Sequence, residues 1–359
     1  MSALGTTQLR SLSEDQLKSV QTSGVATLTS SQVNSLSPTQ LWLLTQPQVQ
    51  ALNTGVVSQL STTQLNALDE DQIKALTEAQ VQSLNSTQLN NLSESRMKAL
   101  DTTDVAAIST SNVQSLSTTA VSRLSASQVG ALTTAQVNVL GTDQVSNIAT
   151  SALGSLNVST LSTAQAQALT SSTISLLQTT QIASLTNTQV SNLTSTQLQA
   201  ISTDGLAGLS NSQMQALTTR NVSLLKTDQI AALSTKQLNA LKSAQVNSLT
   251  ATQINALTST QLPGLRATQV SSFSASRMGS IDNTQLAAMS TGQIQALTTD
   301  QMIGLISSQL SALDTTQISS LKAKQIKAIE TRDLAGLGSD QIIALTTAQV
   351  TALTTGQVA

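Results

Sequence analysis

Few side chains in this sequence could do chemistry, and they are scattered. Asp69, Glu70 and Asp71 form a short acidic run of the kind that serves general acid–base work or cation binding. Lys322, Lys324, Lys327 and Arg332 make the densest basic stretch, which could attract phosphate, but Asp314, Glu330 and Asp333 flank it and a solvated face accounts for it. Trp42, beside Leu41, Leu43 and Leu44, could anchor a partner or pack locally. Threonine pairs at Thr62-Thr63, Thr102-Thr103 and Thr298-Thr299 suggest an ice- or crystal-binding row, but Ser, Asp and Lys interrupt the rows too often for a flat array. Histidine, cysteine and tyrosine are absent. The usual zinc, copper and haem ligands are therefore missing, and no Ser-His or Cys-His pair can be assembled. The expected catalytic, cofactor-binding and metal sites are none, and the chain reads as a non-enzyme.

Composition narrows the partners further. The 359 residues carry a net charge of −2 with only 9% charged side chains, so no basic stripe awaits a nucleic-acid backbone. Trp42 and Phe273 are the only aromatics, too few to form a stacking platform for bases or sugars. No apolar run of about 18 residues exists to span a membrane. The first residues, Met1-Ser2-Ala3-Leu4-Gly5, show no basic and apolar signal pattern. Abundant Ser, Thr, Gln and Asn would suit a disordered chain, but a disordered tract lacks a strict apolar period.

That period is eight. The motif Leu-(Ser/Thr)-x-x-Gln-(Val/Leu/Ile)-x-x recurs about 43 times, from Leu12-Ser13-Glu14-Asp15-Gln16-Leu17 to Leu345-Thr346-Thr347-Ala348-Gln349-Val350. One octad cannot bury its own apolar side chains, so the repeats must stack as a linear array, one continuous solenoid over 1–359. The apolar spacing of three then five is not the alternation of a half-buried strand. A continuous helix also fails, because eight residues make about 2.2 turns and the stripe would rotate by roughly 80° per octad.

One short helix per octad fits. Ser13 with Gln16 has the form of a capping box, and Leu12 with Leu17 that of a hydrophobic staple. Ser61 with Gln64, Thr133 with Gln136, Thr186 with Gln189 and Thr298 with Gln301 repeat the arrangement. Asn53, Asp69, Asn85, Asp101, Asp282 and Asp314 substitute other good caps, while Lys226, Lys242, Arg266 and Lys322 do not. Acidic residues such as Glu14, Glu78, Asp143 and Asp300 gather in the first turn, where the helix dipole favours them. Pro38 falls at the first helical position, where proline is tolerated; Pro263 falls later and is a misfit. The sequence thus predicts an all-α solenoid of very short capped helices, with Leu and Val/Ile/Leu inside and Ser, Thr, Gln and Asn outside. A β-solenoid, favoured by the many β-branched residues, is the alternative.

The leucine phase changes once, across 157–161, where an octad has lost its three-residue Ser-Thr-x opening. A helix running on from Leu153 towards Leu161, with a local bend or offset, is expected there. The last residues, Gly356-Gln357-Val358-Ala359, stop mid-octad without a polar helix to cover the apolar layer. Head-to-tail assembly with other copies into a fibre, through a contact that does not close, is the corresponding expectation.

Ala-Leu-Thr-Thr-Ala-Gln-Val at 131–137 and 344–350, and Ala-Leu-Ser-Thr-Lys-Gln-Leu at 232–238, resemble octad arrays of very large bacterial adhesin-like exoproteins. Some of those resemble type I secretion substrates, and some carry a "haem utilisation or adhesion" label, for which this chain has no haem ligands. The regularity, neutral polarity and absent chemistry point to a filament, stalk or spacer with self as the main partner, and the resemblance implies a place outside a bacterium or on its surface. The competing reading is an adhesin-type module holding a cell-surface protein or glycan. Absence of cysteine suits an extracellular chain and a cytosolic one equally.

Overall fold

A computed structural model describes residues 3–358. Among them are 42 α-helices of four to six residues and two 3-10 turns, and no strand, so the all-α expectation holds and the β-solenoid does not. The chain divides into two compact units, Met1–Leu177 and Gln178–Ala359. Each is a coil of short helices.

Most octads follow the same backbone path. The cap residue is extended, as at Ser61 (φ −62°, ψ 156°), and the helix Thr62–Ala67 follows. Leu68 then leaves the helix with φ −59° and ψ 136°, and the next cap is extended again. The corner between helices is therefore made of two consecutive extended residues. No described residue has a positive φ, so the fold does without the left-handed glycine that ends many helices. This is why leucine, which dislikes the left-handed region, can occupy every corner.

Within each unit a helix packs on the third one after it: Thr6–Arg10 on Ser30–Ser35, and Glu78–Ser83 on Thr102–Ala107. The leucine and the Val/Ile/Leu of each octad meet in the centre of the coil, where Val33, Leu65, Leu89, Leu238, Ile254 and Ile294 are all wholly buried. A helix of six residues is marginal in water. Here each is held by a cap at its start and by turns above and below.

Two irregularities test the scheme. Pro263 has no N–H for the Ser259 carbonyl, and the octad 258–265 keeps the helical bonds on either side of it, Leu262 N to Thr258 O (3.4 Å) and Gly264 N to Thr260 O (3.2 Å), as a string of turns. At 153–161 the expected continuous helix is absent. Instead two 3-10 turns, Leu153–Ser155 and Val158–Thr160, flank an extended Leu156-Asn157. The tighter turn, with three residues per revolution, still delivers Leu153, Leu156, Val158 and Leu161 to the core, all buried.

Close approach between turns falls on the residue before the leucine. A Cβ on Gly264 would collide with Thr235 Cγ2 and lie 2.9 Å from Thr260 O, whereas one on Gly292 would meet nothing nearer than 3.9 Å. Gly264→Ala is expected to destabilise by about 1–3 kcal/mol, and Gly292→Ala, inside the helix Thr291–Ala296, to stabilise by about 0.5–1 kcal/mol. Urea unfolding midpoints of the two variants should shift in opposite directions.

Candidate functional site

The feature repeated at every level of the coil is a buried glutamine. Box glutamines such as Gln80, Gln128, Gln229, Gln269 and Gln325 are at most 1% exposed. This corrects the expectation that Gln lies outside with Ser and Thr. The capping role is as the sequence predicts: Gln64 N donates to Ser61 Oγ (3.2 Å), and Ser61 N donates to Gln64 Oε1 (3.1 Å). What the sequence reading missed is the other half of the amide.

Gln64 Nε2 points down the coil and donates to Val33 O (3.2 Å) and Leu36 O (3.1 Å). Gln48 does the same to Leu17 O and Val20 O (both 2.8 Å), and Gln237 to Leu206 O (3.0 Å) and Leu209 O (2.9 Å). The separations are 31 and 28 residues each time. One turn of the coil therefore takes close to 28 residues, about three and a half octads. The acceptors are the last-turn carbonyls of a helix four octads earlier, groups with no α-helical partner of their own. A single side chain thus closes the start of its own helix and the end of a helix one turn below.

Several exceptions keep the donor, although Gly24, Val56 and Gly205 have none to give. At box positions without Gln, Arg96 Nε reaches Leu68 O (2.9 Å), Asn112 Nδ2 reaches Leu84 O (2.7 Å) and Asn221 Nδ2 reaches Leu193 O (3.3 Å). Ala120 cannot donate, and Arg123 supplies Nη1 to Leu92 O (2.5 Å) instead. Where Lys226, Lys242 and Lys322 occupy the cap, the cap hydroxyl is lost but Gln229, Gln245 and Gln325 still accept the cap N–H at 2.7–2.9 Å. Across the phase break, Gln165 donates to Val137 O (2.8 Å) and Leu140 O (2.7 Å), 28 and 25 residues back. The three missing residues are absorbed within that turn, and the acceptor pair keeps its place in the octad.

A second bracket runs along the outside. Asn66, two residues past its box Gln, donates to Asn91 O (2.7 Å) and accepts from Ser93 N (2.8 Å) in the next turn. Asn90 and Asn239 repeat this with Ser115 and Ser117, and with Gly264 and Arg266.

The residues singled out for chemistry are not brought together. Asp69 caps its helix, accepting from Gln72 N at 2.8 Å, while Glu70 and Asp71 lie exposed in the first turn. Exposed Arg332 pairs with Glu330 (2.8 Å) and with buried Asp333 (3.3 Å). Trp42 is 54% exposed. The three threonine pairs lie at the starts of separate helices. Among the described residues no cluster of metal-ligating side chains and no helix able to cross a membrane is found.

Comparison with known proteins agrees with the repeat. Five segments match the ALTTAQ repeat: residues 46–78, 97–134, 219–251, 230–267 and 326–359. No curated protein matches the chain. Among solved structures, the leucine-rich repeat-containing protein LegL7 from Legionella pneumophila shows 15% identity over 66% of this chain and 79% of its own, with a TM-score of 0.18, too low to bear on fold or function.

Removing one rung should be costly. Gln237→Leu deletes the acceptor for the Ser234 N–H and the donor to two buried carbonyls, so a loss of about 2–4 kcal/mol is expected in urea unfolding. A second measurement concerns Asp104, which stands at a box position and is 3% exposed. Burial, above all, pushes its carboxyl up to about 6, against the bond from Asp101 N and with the nearby Asp101 and Glu78 charges adding to the rise. Because the folded value lies above the unfolded one, this group contributes stability at low pH, lost as pH rises through about 6. The stability difference between the native chain and Asp104→Asn should therefore change between about pH 4 and 7, with native Asp104 relatively favoured at the acid end. A difference independent of pH would refute the assignment.

Proposed function

We propose that the chain is a non-enzymatic structural element, a stalk, spacer or filament segment that works outside a bacterial cell or on its surface and joins its own kind head to tail. The observation that supports this is the rung repeated at every level. The polar groups in the interior are committed to holding one turn on the next, and octads differ mainly on the solvent side. Such a coil transmits load and sets distance, and adding or removing octads changes its length without changing its construction. The resemblance of the octads to adhesin-like exoprotein arrays supports the surface location.

Exposed Trp42 favours a second reading, an adhesin-type module that holds a surface protein or glycan, since a half-exposed indole is a ready anchor. The two readings separate on a glycan and surface-protein array, where specific binding lost in Trp42→Ala would favour the module. For the spacer, single-molecule stretching should show a staircase of steps, each releasing about 90–100 Å, the extended length of one 28-residue turn, with refolding on relaxation. A single irreversible rupture would count against a load-bearing coil.

A further inference from the structure

A turn close to 28 residues sorts the charged side chains of the second unit, Gln178–Ala359, onto different sides of its coil. Two turns are seven octads, about 56 residues, after which the same position of the repeat faces the same way again. Arg266 and Lys322, both cap residues, are 56 residues apart, and Lys242 and Lys327 are 85, three turns. With Lys236 and Lys324 they make a basic stripe, and all six are exposed. Lys242 and Arg266 meet across one turn, since Arg266 Nη2 reaches Leu241 O (3.2 Å). Asp228 and Asp340 are 112 residues apart, four turns, and Asp204 and Asp314 are 110. With Asp282 they make an exposed acidic stripe, in which Lys226 is the one cation. The stripes are centred more than a third of a turn apart, and Asp300 stands at the edge of the basic one. Arg220, Arg277 and Arg332 share the remaining side with Glu330 and Asp333, so that side is mixed. The first unit shows no such sorting: Glu70 and Lys98, 28 residues apart, face the same way.

We infer that the basic stripe is a lateral docking surface for the acidic stripe of a second copy lying alongside in the same direction. The spacings match. Lys242, Arg266 and Lys322 are separated by 24 and 56 residues, and Asp204, Asp228 and Asp282 by 24 and 54. Height along a regular coil grows with the number of residues traversed. One displacement of 38–40 residues, about 1.4 turns, therefore brings all three cations level with the three carboxylates. Within each stripe of an isolated chain the like charges repel, and pairing relieves both stripes at once. A single exposed pair is worth little, so the contact depends on several pairs in register and weakens as salt screens them. The surface that fits must carry carboxylates at this spacing, and the chain itself carries one. The contact is heterologous: because the two stripes lie on different sides, a docked copy still presents its own basic stripe, and lateral growth continues.

This side-by-side contact is independent of any end-to-end joint and so goes beyond the reading above. Sedimentation velocity of the full chain should show oligomers at about 20 mM salt that disperse at about 500 mM. Lys242→Glu/Arg266→Glu/Lys322→Glu turns the basic stripe acidic. Asp204→Lys/Asp228→Lys/Asp282→Asn reverses the acidic stripe while keeping a capping side chain at its third position. Each triple variant alone should associate at least tenfold more weakly than the native chain at low salt. Mixed one to one, they should associate again, because reversed charges then face each other; a merely structural defect would not be rescued by mixing. Native-like circular dichroism and melting would show that both variants fold. A native chain that stays monomeric at low salt, triple variants that associate like it, or a mixture no stronger than its parts would overturn the contact. So would a native monomer that binds phosphatidylglycerol vesicles through the basic stripe, which would give that surface to a lipid headgroup. Salt-resistant fibres that persist in both triple variants would sink the lateral contact and leave the end-to-end reading standing.

Discussion

The primary amide of glutamine is the group on which this structure depends. It offers an acceptor and two N–H donors on one rigid plane at the end of a flexible arm. The acceptor closes the start of its own helix, and the donors close the end of a helix one turn below, so the two tasks fall to opposite edges of one group. A carboxylate can do the first but, when ionised, not the second; no Glu stands at a box position, and Asp does so only at Asp104 and Asp333. Because the amide is buried, leaving either edge unpaired would cost about 1–3 kcal/mol, and the penalty recurs at each level. Gln285 Oε1 is the one buried side-chain nitrogen or oxygen among the described residues without a hydrogen-bond partner. Its Nε2 still reaches Ile254 O and Leu257 O, which places the turn-to-turn bond ahead of the cap.

This division of labour explains which positions tolerate change. The cap can be Ser, Thr, Asn, Asp, Gly or Lys, because the box glutamine still takes the cap N–H when the hydroxyl is gone. The donor is missing at Gly24, Val56 and Gly205, whereas Arg96, Asn112 and Arg123 restore it by different geometries. Exposed first-turn positions carry almost any polar residue. Surface ion pairs such as Lys18–Glu14 and Lys98–Glu94 add little, since exposed pairs are worth at most about 1 kcal/mol. The same logic covers the phase break. Losing three residues would tilt a helix out of register in a bundle, but here Gln165 finds the same pair of carbonyls 28 and 25 residues back.

Much of the local structure was legible in the residues. Ser61 with Gln64, or Thr133 with Gln136, announces a helix start at a known residue, and the leucine before each cap announces the corner. The burial of glutamine was not, because polarity assigns it to the surface and its capping bond fills the only role that a single octad reveals. A signal was present in the pattern. The box residue is Gln more uniformly than capping requires, and Glu, its usual equal in a capping box, never takes its place. The expected helix from Leu153 to Leu161 went wrong because apolar spacing alone does not choose between α and 3-10 turns.

The sequence by itself determined the helix starts, the eight-residue period and the all-α class, since caps, staples and first-turn charges act within one octad. Only the tertiary structure decided the 28-residue turn and the inward course of the glutamines. Both arise from carbonyls a whole turn away along the chain, and no local propensity records which carbonyls of a neighbouring turn lie within reach of a side chain.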